Sequence, residues 1–259
     1  MCLAVVALDV HPRYAVVLVA NRDEYHARPT SSAAWWNTAP PLLAGRDLRA
    51  GGTWLGVTRS GRWAFVTNVR EGGRQDPTAP SRGALVPQVL ADHRDVSVAV
   101  AAAVHDASRH NGFNLMAGEG AVACWASNRG ASACAIGSGV HGLSNARLDT
   151  PWPKLVRTQE GVAAWIQADG DDIEPLFALL ADRTLAPDDE LPSTGVSRTW
   201  ERVLSAPFIV GEHYGTRCST VLTISRDNHA RFTERSFDAR GELSGEVEQT
   251  FDRTRAAYA

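Results

Sequence analysis

The sequence predicts an α+β fold in which antiparallel sheets pack against helices. Strand-like apolar runs form hairpins near both ends of the chain, and two helical blocks interrupt the strands. The strands do not alternate one by one with helices, as they would in repeated βαβ units. The chain has 259 residues, 44% of them hydrophobic, which is enough for one large core. We therefore expect a single domain over residues 1–259.

The first 70 residues are predicted to be mostly strands. Two pairs of β-branched, apolar runs are each joined by a short polar turn, which indicates two hairpins. The four predicted strands cover residues 3–8, 14–20, 53–58 and 62–68. The stretch between the hairpins contains Trp35, Trp36, Pro40 and Pro41 and is interpreted as rich in loops, and the Gly- and Pro-rich segment 72–80 is interpreted as a polar loop.

The rest of the chain alternates blocks of helices and strands. Apolar residues recur every three or four positions in the predicted helices, at residues 81–90, 96–108, 153–167 and 172–181. Ser81 and Ser97 lie near the expected helix starts. Further strands are predicted at residues 113–117, 121–126, 132–136, 219–225, 230–237 and 246–251. Residues 184–198 are predicted to form an exposed loop, and they are the best candidate in the chain for a mobile surface segment.

Composition excludes several classes of protein. A net charge of −3 and a pI near 6.2 argue against a nucleic-acid partner. No apolar run is long enough to cross a membrane, and the opening segment lacks the basic flank of a signal peptide. We therefore expect a cytoplasmic protein. The four cysteines form no C-x-x-C pair and have no histidines at zinc-ligand spacing, so no metal site is predicted.

Cys2 is notable for its position in the chain. Removal of Met1 would make it N-terminal and give it a free α-amine, whose usual pKa of about 7.7 to 8.0 lies near neutrality. Such an amine can act as general base for the thiol of its own residue. The alternative is a small apolar residue that begins a strand. Cys124, Cys134 and Cys218 lie in strand-like stretches, where a free cysteine is usually a buried apolar residue.

A polar string, Asn-Arg-Asp-Glu at residues 21–24, follows the second predicted strand. If residues 3–20 form a hairpin, antiparallel pairing brings this string close to Cys2. The Arg22 guanidinium would then favour the thiolate, and the Asp23 carboxylate would hold or orient the amine. A salt-bridged surface turn is the alternative interpretation.

Three further side chains are candidates for the same site. Asn68 and Asn145 follow strands, and their amides are suitable donors to an oxyanion, although asparagine is also common in turns. Arg217 precedes a strong strand and could pair with a substrate carboxylate or with Asp23, the alternative being an ordinary surface arginine.

Taken together, these segments resemble the NRDE family, named for its Asn-Arg-Asp-Glu string, which includes the transport and Golgi organisation 2 (TANGO2) group. The motifs are MCLAVV at residues 1–6, NRDEYHARPT at 21–30, GRDLRAGGTWLGV at 45–57, GFNL at 112–115, HGLSNARLDTPWPK at 141–154 and GTRCSTV at 215–221. They occur in the same order as in the family and cover residues 1 to about 225, which makes the resemblance specific.

The resemblance implies an N-terminal nucleophile (Ntn) hydrolase-like fold, a four-layer αββα sandwich of two antiparallel sheets between helices. Similar enzymes, the bile-salt hydrolases and penicillin V acylases, also begin Met-Cys and cleave linear amides with the freed thiol. By that similarity Cys2 is the nucleophile, with Arg22 and Asp23 beside it. In this chain Arg22 and Asp23 are adjacent, whereas those hydrolases separate the two residue types by two positions.

The same similarity assigns the remaining candidate site residues. Asn68 and Asn145 would shape the oxyanion hole, and Arg217 would be a second supporting arginine. The first hypothesis is accordingly a hydrolase or acyl transferase acting on a linear amide of a small molecule, with no cofactor required.

The second hypothesis is a binding or carrier protein for haem or a lipid-like ligand, because the family resemblance implies a link to haem mobilisation and lipid metabolism. Tryptophans such as Trp35, Trp36 and Trp54 would then line an apolar pocket, with Cys2, His26 or another histidine as axial ligand. The sequence does not choose between these ligands, and it leaves the oligomeric state open.

Overall fold

The computed structural model describes residues 3–254, which form two antiparallel β-sheets and five α-helices. The strands are β1 (Leu3–Leu8), β2 (Tyr14–Tyr25), β3 (Thr30–Trp36), β4 (Leu42–Asp47), β5 (Leu55–Thr58), β6 (Arg62–Asn68), β7 (Phe113–Glu119), β8 (Val122–Ser127), β9 (Ala131–Ile136), β10 (Gly139–Leu143), β11 (Tyr214–Ser225), β12 (His229–Phe237) and β13 (Leu243–Asp252). The helices are α1 (Leu85–Ala91), α2 (Val96–His105), α3 (Pro153–Gln167), α4 (Glu174–Leu180) and α5 (Arg198–Val203).

The two sheets are built from different parts of the chain. The six-stranded sheet has the order β10-β1-β2-β11-β12-β13, and the seven-stranded sheet has the order β3-β4-β5-β6-β7-β8-β9. The first sheet therefore joins the N-terminal hairpin to the C-terminal strands. This places β1 and β2 beside β10 and β11, so segments distant in sequence meet around the beginning of β1.

Three apolar clusters define the layers of the fold. One fills the space between the two sheets, where Leu8, Leu18, Trp63 and Phe232 are among its members. A second lies between the seven-stranded sheet and helices α1 and α2, and a third between the six-stranded sheet and helices α3 and α4. The order of layers is helix, sheet, sheet, helix, so the expected αββα sandwich is confirmed.

Strand β2 shows why the central strands are apolar on both faces. Leu18 packs between the sheets, whereas Val17 and Val19 pack against the helical layer. A strand covered on both sides needs a nearly continuous apolar run, which residues 14–20 provide. Helix α3 instead carries a stripe, with Leu155, Val162 and Trp165 facing the sheet.

The prediction of a loop-rich stretch around Trp35 and Trp36 is wrong, because these residues lie in strand β3, which pairs with β4. Trp35 packs against the cluster between the sheets, and Trp36 packs against the cluster under α1 and α2. The strand alternation was hard to detect because β3 lies at a sheet edge and has two exposed residues, Ser31 and Ser32, near its start.

Other differences concern short or irregular elements. Strand β2 continues through the polar string to Tyr25, and the segment from Tyr214 belongs to β11. Strand β10 is rich in glycine, and α5, only six residues long, begins just inside the predicted mobile segment 184–198, so neither was predicted. Ser81 accepts a hydrogen bond from the Gly83 amide, whereas α2 begins at Val96, ahead of Ser97.

Among residues 3–254, no helix combines the length and the apolar character needed to cross a membrane.

Candidate active site

The polar string of β2 lies opposite the beginning of β1. Leu3 pairs with Asn21, and Ala4 pairs with Leu143 of β10 on the other side. The predicted nucleophile Cys2 lies outside the described residues. The candidate site is therefore built from the described side chains that surround the first residue of β1.

Asn21 ties the sheet to the helical layer. Its side-chain amide donates to the carbonyls of Leu180 and Pro207, at 2.8 and 2.9 Å, and its Oδ1 accepts from Ser219 at 2.6 Å. Asn21 is fully buried, so these bonds satisfy a polar group that would otherwise be costly to bury. The first residue of the motif is structural, a role the sequence reasoning did not assign.

Arg22 projects into the space between the sheets, the face that it shares with Leu18 and Ala20. Its Nη1 donates to Thr30 Oγ1 at 3.1 Å, and its guanidinium lies over the Trp54 ring, 4.3 Å from the centroid. The Glu24 carboxylate is 4.0 Å away. Arg22 is only 4% exposed, so its charge acts at short range in a poorly hydrated setting.

Asp23 lies on the opposite face of β2, as neighbouring strand residues must. Its Oδ1 accepts a hydrogen bond of 2.6 Å from Thr216, whose oxygen in turn accepts from the Ile209 amide. Both residues are buried. Arg22 and Asp23 therefore bracket the strand from two sides, and neither belongs to the surface turn considered as an alternative.

Arg217 lies at a β-bulge. The β2–β11 register shifts between Thr216 and Cys218, so Arg217 is the extra residue and leaves the regular alternation. Its Nη1 donates to the carbonyls of Tyr25, His26 and Arg28, at 3.2 Å each. Burial, followed by the nearby charge of Arg22, lowers the pKa of Arg217. Arg217 therefore holds the main chain at the end of β2 and just after it, and its charge lies close to Arg22.

Asn68 and Asn145 are in direct contact although 77 residues separate them. Asn145 Nδ2 donates to the Asn68 carbonyl at 2.9 Å, and Asn145 Oδ1 accepts from Arg70 at 3.4 Å. Arg70 is held in turn by Glu201 at 2.7 Å. These contacts fix which end of the Asn145 amide carries the N–H groups, leaving one of its two N–H bonds pointing away from Asn68.

A small cleft at this end of the molecule is lined by residues of both sheets. It measures about 80 Å³, and Arg22, Trp54 and Asn68 are among the residues that line it. Arg22 belongs to the six-stranded sheet and Asn68 to the seven-stranded one. Of the candidate residues, Arg22 and Asn68 line this cleft, and Asn145 bonds to the Asn68 main chain. Asp23 lies on the opposite face of β2, and Arg217 does not line the cleft.

Two residues that the sequence reasoning did not place in the site lie beside Arg22. Cys218 pairs with Arg22 in the sheet, and Glu234 lies on the adjacent strand β12; both are buried. Burial raises the pKa of Glu234 to about 7, although the Ala33 amide and Arg22 oppose this. Burial and the Glu234 charge raise the pKa of Cys218, so its thiol is protonated. A signal was present: Glu234 follows Ala230 and Phe232 in the inward phase of its strand.

The residues proposed for haem are more dispersed. His26 Nε2 contacts the Gly211 carbonyl at 2.9 Å, and Trp35 and Trp36 face opposite sides of β3, so they do not share one pocket wall. Trp54 is covered on one face by Arg22. Within the described part of the chain, no three His, Cys, Asp or Glu side chains are grouped as metal ligands. Haem binding stays a prediction.

Comparison with known proteins gives a family and a fold. The family model described as Transport and Golgi organisation 2 matches residues 1–239. The chain is 34% identical to the Transport and Golgi organization protein 2 homolog of Bos taurus, over 91% of this chain and 93% of that protein. It is 32% identical to the Homo sapiens homolog over the same shares of the two chains.

Among solved structures, the fold is similar to an N-acylethanolamine-hydrolyzing acid amidase ortholog from Caenorhabditis elegans, with a TM-score of 0.50 and 11% identity. That match covers 85% of this chain and 92% of the amidase. A variant of the conjugated bile acid hydrolase from Clostridium perfringens matches with the same TM-score and identity, over 98% of both chains. At this level of identity the similarity establishes the fold.

Proposed function

Because the chain belongs to the Transport and Golgi organisation 2 family and has an Ntn hydrolase-like fold, we propose that it is a hydrolase or acyl transferase that acts on a linear amide of a small molecule. The nucleophile of the proposal is the Cys2 thiol after removal of Met1. The expected cytoplasmic location belongs to the same proposal.

The observation that carries the proposal is the convergence of polar side chains around the beginning of β1. Leu3, the residue bonded to Cys2, pairs with Asn21, and the next residue along β2 is the buried Arg22. The even-numbered residues Ala4, Val6 and Leu8 of β1 face the space between the sheets, and Cys2 has the same parity. Arg22 projects into that space too. A cation in this position would favour a thiolate.

The proposed reaction proceeds in two steps. In the first, the Cys2 sulfur bonds to the amide carbon while its proton passes to the α-amine. Side-chain N–H groups of Asn68 and Asn145 would stabilise the oxyanion. The C–N bond then breaks, and the amine leaves with the proton. In the second step water, or another acceptor in a transferase, attacks the thioester, releases the acyl group and restores the thiol.

The other described residues would position this machinery. Asp23 is held by Thr216 on the far face of β2, where its charge would orient the terminal ammonium. Arg70 and Glu201 hold the Asn145 amide, and Arg217 holds the turn after β2. The substrate class rests on fold similarity to an N-acylethanolamine-hydrolyzing amidase and a conjugated bile acid hydrolase.

The test begins with the intact mass of the purified protein, which should show that Met1 has been removed. A panel of N-acyl amides is then assayed for amine release by the wild type, Cys2→Ala and Cys134→Ala. Cys134 is an exposed thiol, so its loss is a matched control. We expect turnover to fall at least about 1,000-fold for Cys2→Ala and to change less than about twofold for Cys134→Ala.

A measurement independent of substrate identity accompanies the assay. Iodoacetamide labelling, followed by mass spectrometry, should modify Cys2 faster than Cys134 at pH 7, because the thiolate is the reactive form. Equal labelling rates, turnover by Cys2→Ala, or a retained Met1 would each contradict the proposal. The haem alternative is tested separately, by titrating haem into the wild type and Cys2→Ala and following the Soret band.

A further inference from the structure

A second depression, which we call the outer groove, adjoins the cleft that Arg22 and Asn68 line. It measures about 450 Å³ and shares Arg28, Ser81 and Arg82 with the wall of the cleft. The cleft itself measures only about 80 Å³. A cavity of about 150 Å³ accommodates benzene, so the cleft has room for a group about the size of an amide. A larger ligand in the cleft would therefore extend into the outer groove.

Positive charge dominates the outer groove. Arg28, Arg49 and Arg82 line it, against one acidic side chain, Asp76. The Asp76 carboxylate accepts hydrogen bonds from the amide and the hydroxyl of Thr78, at 2.8 and 2.6 Å. The whole chain has a net charge of −3, so the excess of arginine is a local property of this groove.

Two of the three arginines are held in position by the protein. Arg28 donates to Asp47 Oδ2 through Nε and Nη2, at 2.8 and 2.5 Å, and its Nη1 makes no regular hydrogen bond among residues 3–254. The half-buried Arg82 donates through Nη1 to the Gly112 carbonyl at 3.1 Å. A guanidinium that is already fixed loses little conformational freedom when it contacts a ligand, which favours binding.

The acidic residues of the cleft are occupied by the protein itself. Asp47 Oδ1 accepts from the main-chain amides of Arg49 and Ala50, at 3.0 and 3.3 Å, while its Oδ2 accepts from Arg28. The Glu24 carboxylate lies 3.9 Å from Arg28. The Arg49 side chain forms no ion pair with any residue that the structure describes, so its charge is available to a ligand.

An anionic group matches this arrangement best. A carboxylate forms paired, charge-assisted hydrogen bonds with guanidinium groups. A cationic ligand would be repelled by three arginines, and a neutral group would gain nothing from their charge. The same groove has an apolar part, formed by Pro77, Ala79 and Pro80, which suits the carbon chain between a carboxylate and an amide.

We propose that the outer groove binds the carboxylate of an anionic amide, so that the preferred substrate carries a negative charge at the end of a short carbon chain. Arg49 and Arg82 contact the carboxylate and determine specificity, with no part in bond cleavage. The assignment of this ligand as a substrate rests on the proposed function, whereas the binding itself does not require the Cys2 thiol.

The probe is N-(4-fluorobenzoyl)-4-aminobutyrate, compared with its neutral counterpart, in which a carboxamide replaces the carboxylate. Both are titrated into the full-length Cys2→Ala variant, in which the proposed turnover is prevented, and followed by fluorine NMR line broadening. We expect the acid to bind at least about tenfold more tightly than the carboxamide, because hydrogen bonds between charged groups are the stronger ones. High salt should reduce this difference.

Three substitutions in the same background locate the charge that matters. Arg49→Gln changes an exposed position, so the fold is retained, and acid binding should weaken at least about fivefold. Arg82→Gln should weaken it at least about tenfold. Carboxamide binding should change less than about twofold in both. Arg240→Gln is the matched control with unchanged binding, because its side chain is 83% exposed and lines neither the cleft nor the outer groove.

Two results would overturn the inference. One is equal affinity of the acid and the carboxamide; the other is acid binding by Arg49→Gln and Arg82→Gln that is as tight as in Arg240→Gln. Either result, together with hydrolysis of neutral amides by the wild type, leaves the proposed function intact. Selective acid binding without turnover of any amide supports the groove assignment and contradicts the proposed function instead.

Discussion

Arg22 and Arg62 are both buried arginines, each 4% exposed, and the difference between their surroundings distinguishes structure from candidate function. Arg62 donates to Glu119 through Nε and Nη2, at 3.0 and 2.8 Å, and to the carbonyls of Asp92 and Arg94. Among residues 3–254, Arg22 has one hydrogen bond, to Thr30, an aromatic ring and a carboxylate at 4.0 Å.

The two arginines therefore have different capacities for further contacts. Each of the three guanidinium nitrogens of Arg62 donates to an acceptor, which is the pattern of a structural ion pair. Within the described part of the chain, Arg22 has donors that no regular hydrogen bond uses, and it lines a cavity. A guanidinium has five N–H donors, so Arg22 can make further contacts. The comparison teaches that burial alone does not separate a structural arginine from a candidate functional one, and that the partners among the described residues must be compared as well.

The largest predicted effect is at Arg62. Arg62→Met would remove the guanidinium that pairs with Glu119 and donates to two main-chain carbonyls, which we expect to lower the free energy of unfolding by about 3 kcal/mol. Arg22→Met should lower it by only about 1 kcal/mol. Urea unfolding, followed by tryptophan fluorescence, measures both. Equal losses of stability in the two variants would refute the distinction between these regions.

The second prediction concerns Glu234, next to Arg22. Its pKa is about 7 in the folded protein, against about 4.5 when unfolded, so the folded state binds the extra proton between these values. The contribution of Glu234 protonation to the free energy of unfolding is therefore fully present below pH 4.5 and is lost as the pH rises through about 7. Between pH 5 and pH 8 the wild type should lose roughly 2 to 3 kcal/mol more than Glu234→Gln, measured by urea unfolding. An identical pH dependence for both proteins would show that Glu234 ionises normally.

The smallest predicted effect is on reactivity. If Arg22 lies beside Cys2, Arg22→Met should slow iodoacetamide labelling of Cys2 about tenfold at pH 7, equivalent to a rise of about one unit in the thiol pKa. Arg46 also stacks on a tryptophan, 4.5 Å from the Trp36 ring centroid, but is exposed and outside the candidate site. Arg46→Met is therefore the control. If both variants react at the wild-type rate, Arg22 has no part in activating the thiol.

Much of the fold was predictable because its strands and helices have clear apolar patterns. Strand β6 and helix α3 were predicted with the bounds that the structure has, and β1 likewise. The antiparallel arrangement followed from the hairpins. The pairing of β2 with β11 was not predictable from local patterns, since it joins segments about 200 residues apart. Long-range partners depend on tertiary packing that periodicity does not encode.

The candidate site was predictable in its residue types and less so in its geometry. The family resemblance identified Arg22, Asp23, Asn68 and Asn145. The structure places Arg22 and Asn68 at one cleft, Asn145 against Asn68 and Asp23 on the opposite face of β2, while their catalytic roles stay predictions. Glu234 was missed because a charged residue within a polar-looking strand suggests exposure. Its inward phase, shared with Phe232, could have revealed it.

The bulge at Arg217 makes the number of residues in the first half of β11 important for the geometry of the candidate site. Thr216 and Cys218 pair with the successive residues Asp23 and Arg22 because Arg217 is accommodated outside the ladder. Losing Arg217 would remove the bulge and, with it, the guanidinium that donates to the carbonyls of Tyr25, His26 and Arg28. The turn at residues 226–228 can change length without that penalty, because it lies beyond the paired region. Relatives that share this site are therefore expected to vary in length at the turn and to keep a constant spacing from Tyr214 to Ser219.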